Sequence, residues 1–124
     1  MTGDWCHLPR VNLTAGNVTL GGIMNVLPFE HSFDSLSLKG EYIRAALEHS
    51  ASDWEAKAGR FLQVSGIQVT YNMHAEVGSR VCGVCVVRED GVYEVLDDEA
   101  SYSMVVAKYP SNGGDGYSSI ADNK

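Results

Sequence analysis

The stretch FDSLSLKGEYIRAALEHSASDW, residues 33–54, shows two different hydrophobic periods on either side of Gly40. Before the glycine, residues 33–38 alternate with a period of two, which predicts a half-buried strand. After it, apolar residues recur every three or four positions, which predicts a helix over about 41–54. The apolar stripe of this helix consists of Ile43, Ala46, Leu47, Ala51 and Trp54. The residues expected to face water are Glu41, Arg44, Glu48 and Asp53.

On either side of this stretch the patterns are weaker. Upstream, Thr19 is expected to cap a short helix that ends at Pro28. Downstream, Gly66 interrupts an apolar run and marks a bulge or a close backbone approach. The order of elements predicts an α/β (α+β) fold, a single domain over 16–124 with mixed β-sheet layers and flanking helices, after an irregular lead-in over 1–15. The further expected elements are strands at 61–72, 80–88, 92–96 and 101–108, a turn at 111–116, and a shortened helix at 118–124.

Composition limits the class of protein. The chain has 124 residues and a formal net charge of -7, with no basic stripe. This charge argues against a duplex nucleic-acid partner, which requires many phosphate contacts, but it does not exclude a single nucleotide. No apolar run has the length of a membrane span, and the first ten residues do not resemble a signal peptide. The chain is therefore either cytosolic or preceded by its natural amino terminus, and the sequons at Asn12 and Asn17 favour a secreted glycoprotein.

The histidines show no metal-binding pattern. None of them has the spacing of a hydrolytic di-metal site, which needs several clustered His and Asp ligands. The sequence therefore predicts no catalytic metal site within this chain. His49, at a helix end, is expected to be a surface residue favoured by the helix dipole. The four histidines are His7, His31, His49 and His74.

Cys82 and Cys85 form a CxxC motif inside a β-branched run. A redox CxxC normally opens a helix, and a zinc site would need a second pair of ligands. The residues therefore favour a tight structural disulfide, for which Gly83 supplies local freedom. Cys6 is then left over, either free or paired with a part of the protein outside this sequence.

A glycine-rich turn near the carboxyl terminus offers a candidate binding site. The turn is a simple tight turn, or it presents Asp115 as an acceptor for ribose hydroxyls. Tyr109 and Tyr117 frame it, and Phe29 follows a proline elsewhere. Either these rings belong to the core, or Phe29 and Tyr109 face each other across a slot. A base stacked in such a slot would gain about 1–3 kcal/mol.

Four segments stand in a fixed order: VLPF at 26–29, ALEHS at 46–50, GRFLQVSG at 59–66 and NGGDGY at 112–117. Together they resemble the carboxyl-terminal domain of the 5′-nucleotidase family. This family includes animal ecto-5′-nucleotidase, salivary apyrases and bacterial periplasmic UDP-sugar hydrolases. The resemblance covers about residues 16–122.

The resemblance implies a domain that binds the nucleoside and rotates to deliver its phosphate to two metal ions, usually zinc. Those metals and the catalytic residues belong to a separate amino-terminal metallophosphoesterase domain that this chain lacks. Phe29 and Tyr109 would sandwich the base, and Asp115 would accept the ribose hydroxyls. The CxxC also matches a disulfide of the animal branch. The pocket would further be bordered by Gly59, Asn112 and Gly114.

The expected function is therefore substrate recognition for an extracellular enzyme that hydrolyses nucleoside 5′-monophosphates. This chain would bind adenosine or AMP without a cofactor or catalytic residue of its own. It would be truncated at both ends, with the absent domain as a partner and homodimerisation as a further possibility. The alternatives are a non-catalytic nucleoside-binding protein and an inactive fragment or isoform. Two departures stand out: Tyr109 replaces a Phe of the animal enzymes, and residues 1–10 do not align with the family's phosphate-binding arginines.

Overall fold

The computed structural model describes residues 16–26, 32–56 and 59–124. All pairings among the described strands are antiparallel, with β1 beside β5 and the order β2-β3-β4 in the second sheet. Helices flank both sheets, which confirms the predicted α+β class. The elements are α1 (Leu20–Val26), β1 (Phe33–Lys39), α2 (Gly40–Ala51), β2 (Ile67–Tyr71), β3 (Val81–Val87), β4 (Tyr93–Val95), β5 (Ser101–Ala107), α3 (Lys108–Ser111) and α4 (Ser118–Ala121).

The hydrophobic core forms where α2 packs between the strands and the carboxyl-terminal segment. The alternation in β1 turns Leu38 inward, opposite Tyr102 of β5. The predicted stripe of α2 is buried up to Ala51, whereas Trp54 is exposed because the helix ends before it. The buried cluster consists of Leu38, Ile43, Ala46, Leu47, Leu62, Val84, Val86, Leu96, Val106, Tyr117 and Ile120.

α2 ends at Ala51, earlier than predicted, and a buried arginine contacts this end. The Arg80 guanidinium donates to the carbonyls of Ala51 and Ser52, and so satisfies backbone groups that the end of a helix leaves unpaired. Glu48 was expected to face water, and that prediction is wrong. Its carboxylate accepts the N–H groups of Arg80 at 3.0 Å and Val81 at 2.7 Å, which ties α2 to the start of β3.

The start of α2 depends on close backbone approach. The N–H of Gly40 donates to the Ala100 carbonyl, and the N–H of Glu41 donates to the Asp98 carbonyl, both at 2.9 Å. These bonds replace a side-chain cap. A Cβ at Gly40 would lie 2.1 Å from the Asp97 carbonyl oxygen, so any side chain there would force the backbone apart.

Two glycine and cap predictions agree with the structure. Thr19 Oγ1 accepts the N–H of Gly22 at 3.1 Å, which caps α1 as expected. Gly66 has a φ of 74°, and its carbonyl accepts the N–H of Val87 at 2.8 Å, which is the close approach that its position indicated. Among the described residues, none of the helices combines the length and the hydrophobicity of a membrane span.

The predicted disulfide is wrong for this structure, because Cys82 and Cys85 are free cysteines. Both lie within the extended strand β3, and neighbouring side chains of a strand point to opposite faces. Gly83 is itself a strand residue, paired with Thr70, so it does not form the tight loop that a CxxC bridge requires. The remaining cysteine, Cys6, lies outside the described residues.

Candidate functional site

The glycine-rich turn is built directly after β5. The N–H of Lys108 donates to the Ser32 carbonyl at 2.9 Å, which anchors the beginning of α3. Pro110 is tolerated in this short helix because the first turn has no use for its missing N–H. Gly113 then adopts a φ of 86° and donates to the Pro110 carbonyl at 3.0 Å, which ends the helix as glycine commonly does.

Asp115 has an unusual backbone conformation. Its φ is 54°, and it is the one non-glycine with a positive φ among the described residues. The left-handed region costs most side chains about 1–2 kcal/mol, and Asp is one of the few that visit it. Gly113 and Gly116, with φ values of 86° and 87°, stand on either side. Backbone outliers of this kind concentrate at functional sites.

Three predicted site residues meet on the outer side of this turn. Tyr109 is 54% exposed, and its hydroxyl donates to Oδ1 of Asp115 at 3.4 Å. Its ring covers Gly114 so closely that a Cβ there would lie 2.6 Å from a ring carbon. The structure thus brings an open aromatic face and a carboxylate together, with a glycine beneath the ring.

His49 supports the turn from the inner side. Its Nε2 lies 2.7 Å from the Asp115 carbonyl oxygen. Its ring meets Tyr117 edge-on, with centroids 4.9 Å apart. A Cβ at Gly116 would lie 3.0 Å from the same imidazole, so the glycine makes room for it. The predicted surface role of His49 is therefore wrong, because only the folded chain brings the end of α2 beside residues 115–117.

Tyr117 links the turn to the segment after α2. Its side chain is buried, and its hydroxyl donates to the Arg60 carbonyl. Burial raises the pKa of Tyr117, an effect that a hydrogen bond with Ser50 offsets in part. Ser50 is itself fully buried, and its Oγ accepts the N–H of Leu62 at 2.8 Å. Gly59, another predicted site residue, is buried immediately before Arg60.

Asn112 lies at the end of α3 and contacts the end of the chain. Its Oδ1 accepts a hydrogen bond from Nζ of Lys124 at 3.0 Å, and its side chain is exposed. Ser111 beside it is fully buried and donates to Oδ2 of Asp34 at 2.7 Å. These contacts hold the base of the turn against β1.

Three predicted residues remain, namely Phe29, Asn12 and Asn17. Phe29 and Asn12 lie outside the described residues, so the two-ring slot and the first sequon stay predictions. Asn17 is exposed. Within the described ranges, no three His, Cys, Asp or Glu side chains group as metal ligands. The described residues of the turn thus present an exposed aromatic ring and a carboxylate acceptor.

Comparison with known proteins gives a consistent result. Residues 7–122 match the family model described as 5′-nucleotidase, C-terminal domain. The chain is 36% identical over 125 residues to a 5′-nucleotidase of Mus musculus, covering 98% of this chain and 22% of that protein. It is 33% identical over 124 residues to an apyrase of Tabanus yao, covering 93% of this chain and 22% of that protein.

A solved structure shows the same fold. The crystal structure of a 5′-nucleotidase precursor from Thermus thermophilus matches with a TM-score of 0.79 and 44% identity. The match covers 86% of this chain and 21% of that one. The chain therefore spans about a fifth of the length of these relatives.

Proposed function

The chain belongs to the 5′-nucleotidase carboxyl-terminal domain family, and from this premise we propose that it is the nucleoside-recognition domain of a nucleotide-hydrolysing enzyme. The observation that carries the proposal is the pairing of Tyr109 with Asp115 on one strained turn. A base would stack on the exposed ring of Tyr109. The ribose hydroxyls would donate to the Asp115 carboxylate.

The geometry of the carboxylate suits this role. The hydrogen bond that it accepts from the Tyr109 hydroxyl is long, at 3.4 Å. A carboxylate has about four lone-pair sites, so the Asp115 carboxylate can still accept hydrogen bonds from two sugar hydroxyls. Hydrogen bonds to an ionised acceptor are stronger than neutral ones, which suits recognition of a polar sugar beside an apolar base.

The remaining predicted residues complete the proposed pocket. Phe29 would supply the second ring over the base, and Gly59, Asn112 and Gly114 would border the ligand. Gly114 supports this assignment because its missing side chain lets the Tyr109 ring lie flat on the turn. Adenosine and AMP are the proposed ligands.

Hydrolysis would require a second domain. We propose that an amino-terminal metallophosphoesterase domain would hold two divalent, zinc-like ions, whose Lewis-acid chemistry would serve hydrolysis there. The residues of this chain would contribute positioning of the substrate and not the nucleophile. An extracellular location is part of the same proposal, and the exposed Asn17 of a sequon supports it.

Calorimetric titration of the 124-residue chain with adenosine tests the proposal. Tyr109→Ala should weaken binding by about 1–3 kcal/mol, the usual value of one stacking partner. Asp115→Asn should weaken the binding of adenosine more than the binding of 2′,3′-dideoxyadenosine, because the lost acceptor pairs with the ribose hydroxyls. Asn tolerates the left-handed conformation, so this substitution should leave the fold intact.

Matched controls lie in β4 and the loop before it. Tyr93 is an exposed tyrosine, and Asp90 accepts the N–H of Val92 through Oδ1, which Asn also provides. Tyr93→Ala and Asp90→Asn should leave adenosine affinity unchanged. The proposal would be overturned if the wild type did not bind adenosine. It would also be overturned if the Tyr109 and Asp115 variants bound adenosine as tightly as the wild type.

A further inference from the structure

His49 meets the most strained part of the turn. Its Nε2 lies 2.7 Å from the carbonyl oxygen of Asp115, the described non-glycine residue with a positive φ. A carbonyl only accepts, so the ring must donate, and Nε2 carries the proton in this contact. The donor comes from α2, a rigid element of the core, and not from the turn itself.

The turn's own hydrogen bonds do not hold this carbonyl. They run from the N–H groups of Gly116 and Tyr117 to the carbonyls of Gly113 and Gly114, at 3.1 and 3.3 Å. The Asp115 carbonyl and the Asp115 side chain are attached to the same Cα, so the backbone that orients the carbonyl also sets the point from which the side chain projects. A donor fixed on α2 therefore restrains the backbone that carries the carboxylate.

The surroundings are shaped to admit an imidazole at this point. A Cβ on Gly116 would lie 3.0 Å from both Cε1 and Nε2 of His49, so a side chain there would displace the ring. The edge-on contact with Tyr117, at an interplanar angle of 84°, sets the orientation of the imidazole from the other side. Both contacts aim Nε2 at the Asp115 carbonyl.

From these contacts we propose that His49 is a positioning residue for Asp115. It would hold the carboxylate where it meets the Tyr109 hydroxyl and the ribose, without touching the ligand itself. This inference rests on the proposed nucleoside site and adds to it a residue from a different element.

The test compares His49→Phe with His49→Gln in the 124-residue chain. Phe keeps a ring against Tyr117 but has no N–H, whereas the Gln amide still donates to the carbonyl. Adenosine affinity should fall about fivefold to tenfold in His49→Phe, the effect of losing one hydrogen bond. It should stay within about threefold of wild type in His49→Gln. If His49→Phe does not fold, His49→Leu replaces it.

Two readouts separate positioning from a merely structural role. Affinity for 2′,3′-dideoxyadenosine should change less than about twofold in His49→Phe, because that ligand lacks the hydroxyls that Asp115 accepts. In an Asp115→Asn background, His49→Phe should cause less than about a twofold further loss, since the two residues act through one group. Equal losses for both ligands, additive losses, or a His49→Gln variant as weak as His49→Phe would overturn the inference.

A histidine control and a ligand-free measurement complete the design. His74→Phe changes an exposed histidine between β2 and β3 and should leave adenosine affinity unchanged. The intraresidue HN–Hα NOE of Asp115 reports the sign of its φ without any ligand, because the two protons lie closest together when φ is positive. Its positive φ should persist in wild type and His49→Gln and be lost in His49→Phe.

The ligand-free measurement also separates the two proposals. A wild type that binds no adenosine refutes the nucleoside site, while the intraresidue NOE still decides whether His49 holds Asp115. An unchanged intraresidue NOE in His49→Phe would overturn the positioning role even if adenosine binds.

Discussion

The two halves of the glycine-rich turn are adjacent in sequence but differ in burial. In the outer half, Tyr109 is 54% exposed and contacts Gly114 and Asp115. In the inner half, Tyr117 is 1% exposed and packs against His49, with its hydroxyl on a backbone carbonyl. One half therefore stabilises the fold, and the other leaves a polar and an aromatic group open to solvent.

This contrast shows that a residue's type alone does not decide its role. Both tyrosines flank the same turn, but only the inner one is buried, with its hydroxyl donating to a backbone carbonyl. A site that must hold a ligand rigidly needs both halves, because an exposed group is well placed only if its backbone is anchored. Substitutions should therefore separate into those that change stability and those that change binding.

The largest loss of stability should come from a substitution in the inner half. Tyr117→Ala should lower the free energy of unfolding by about 3–5 kcal/mol, the usual cost of removing a buried aromatic side chain. Tyr109→Ala should lower it by less than about 1 kcal/mol, because a half-exposed ring contributes little packing. Urea unfolding of both variants measures the difference. Similar losses in the two would contradict the contrast between the halves.

The outer half should respond in binding instead. Gly114→Ala places a Cβ against the Tyr109 ring, and the half-exposed ring can move away. Adenosine affinity should fall by about 1–3 kcal/mol, the value of a stacking contact, while the free energy of unfolding changes by less than about 1 kcal/mol.

The matched control for this glycine is Gly83→Ala in β3, where an added Cβ meets nothing within 4 Å. Calorimetry should find adenosine affinity unchanged in that variant. If Gly114→Ala binds adenosine like wild type, Gly114 does not set the position of the ring.

The smallest effect concerns the Tyr117 hydroxyl and pH. Tyr117→Phe should cost about 0.5–1.5 kcal/mol at neutral pH through the lost hydrogen bond. Burial raises the pKa of Tyr117 in the folded chain, whereas an unfolded tyrosine has a pKa of about 10. The stability that comes from keeping the hydroxyl neutral is therefore fully present below pH of about 10 and is lost as the pH rises further.

The unfolding free energy of the wild type should accordingly fall above pH of about 10, and Tyr117→Phe should show a shallower fall. Tyr71→Phe should also make the fall in unfolding free energy shallower, because burial raises the pKa of Tyr71. Urea titrations at several alkaline pH values measure both slopes. Parallel slopes for wild type and Tyr117→Phe would mean that the inner hydroxyl does not resist ionisation.

Much of the fold was predictable because its evidence is local. The period of two before Gly40 and the helical period after it correspond to β1 and α2. Tyr109, Gly114 and Asp115 were predicted as site residues, and they meet because only a short turn separates them. The four ordered segments also predict the family, and that prediction is confirmed.

The wrong predictions share a non-local cause. The predictions for Glu48 and for the end of α2 differ from the structure, and Arg80, from a later part of the chain, hydrogen-bonds at both places. The CxxC motif favoured a bridge from its spacing, but the extended pairing of Gly83 in β3 keeps its two thiols free.

By itself the sequence determined the strand and helix periods, the glycine turn and the membership of a family, since each depends on neighbouring residues or on their order. Only the tertiary structure decided that Tyr117 is buried while Tyr109 is open, and that His49 donates to the carbonyl of Asp115. Burial and hydrogen bonding between distant segments depend on how α2 packs against the turn. No periodicity within either segment specifies that packing.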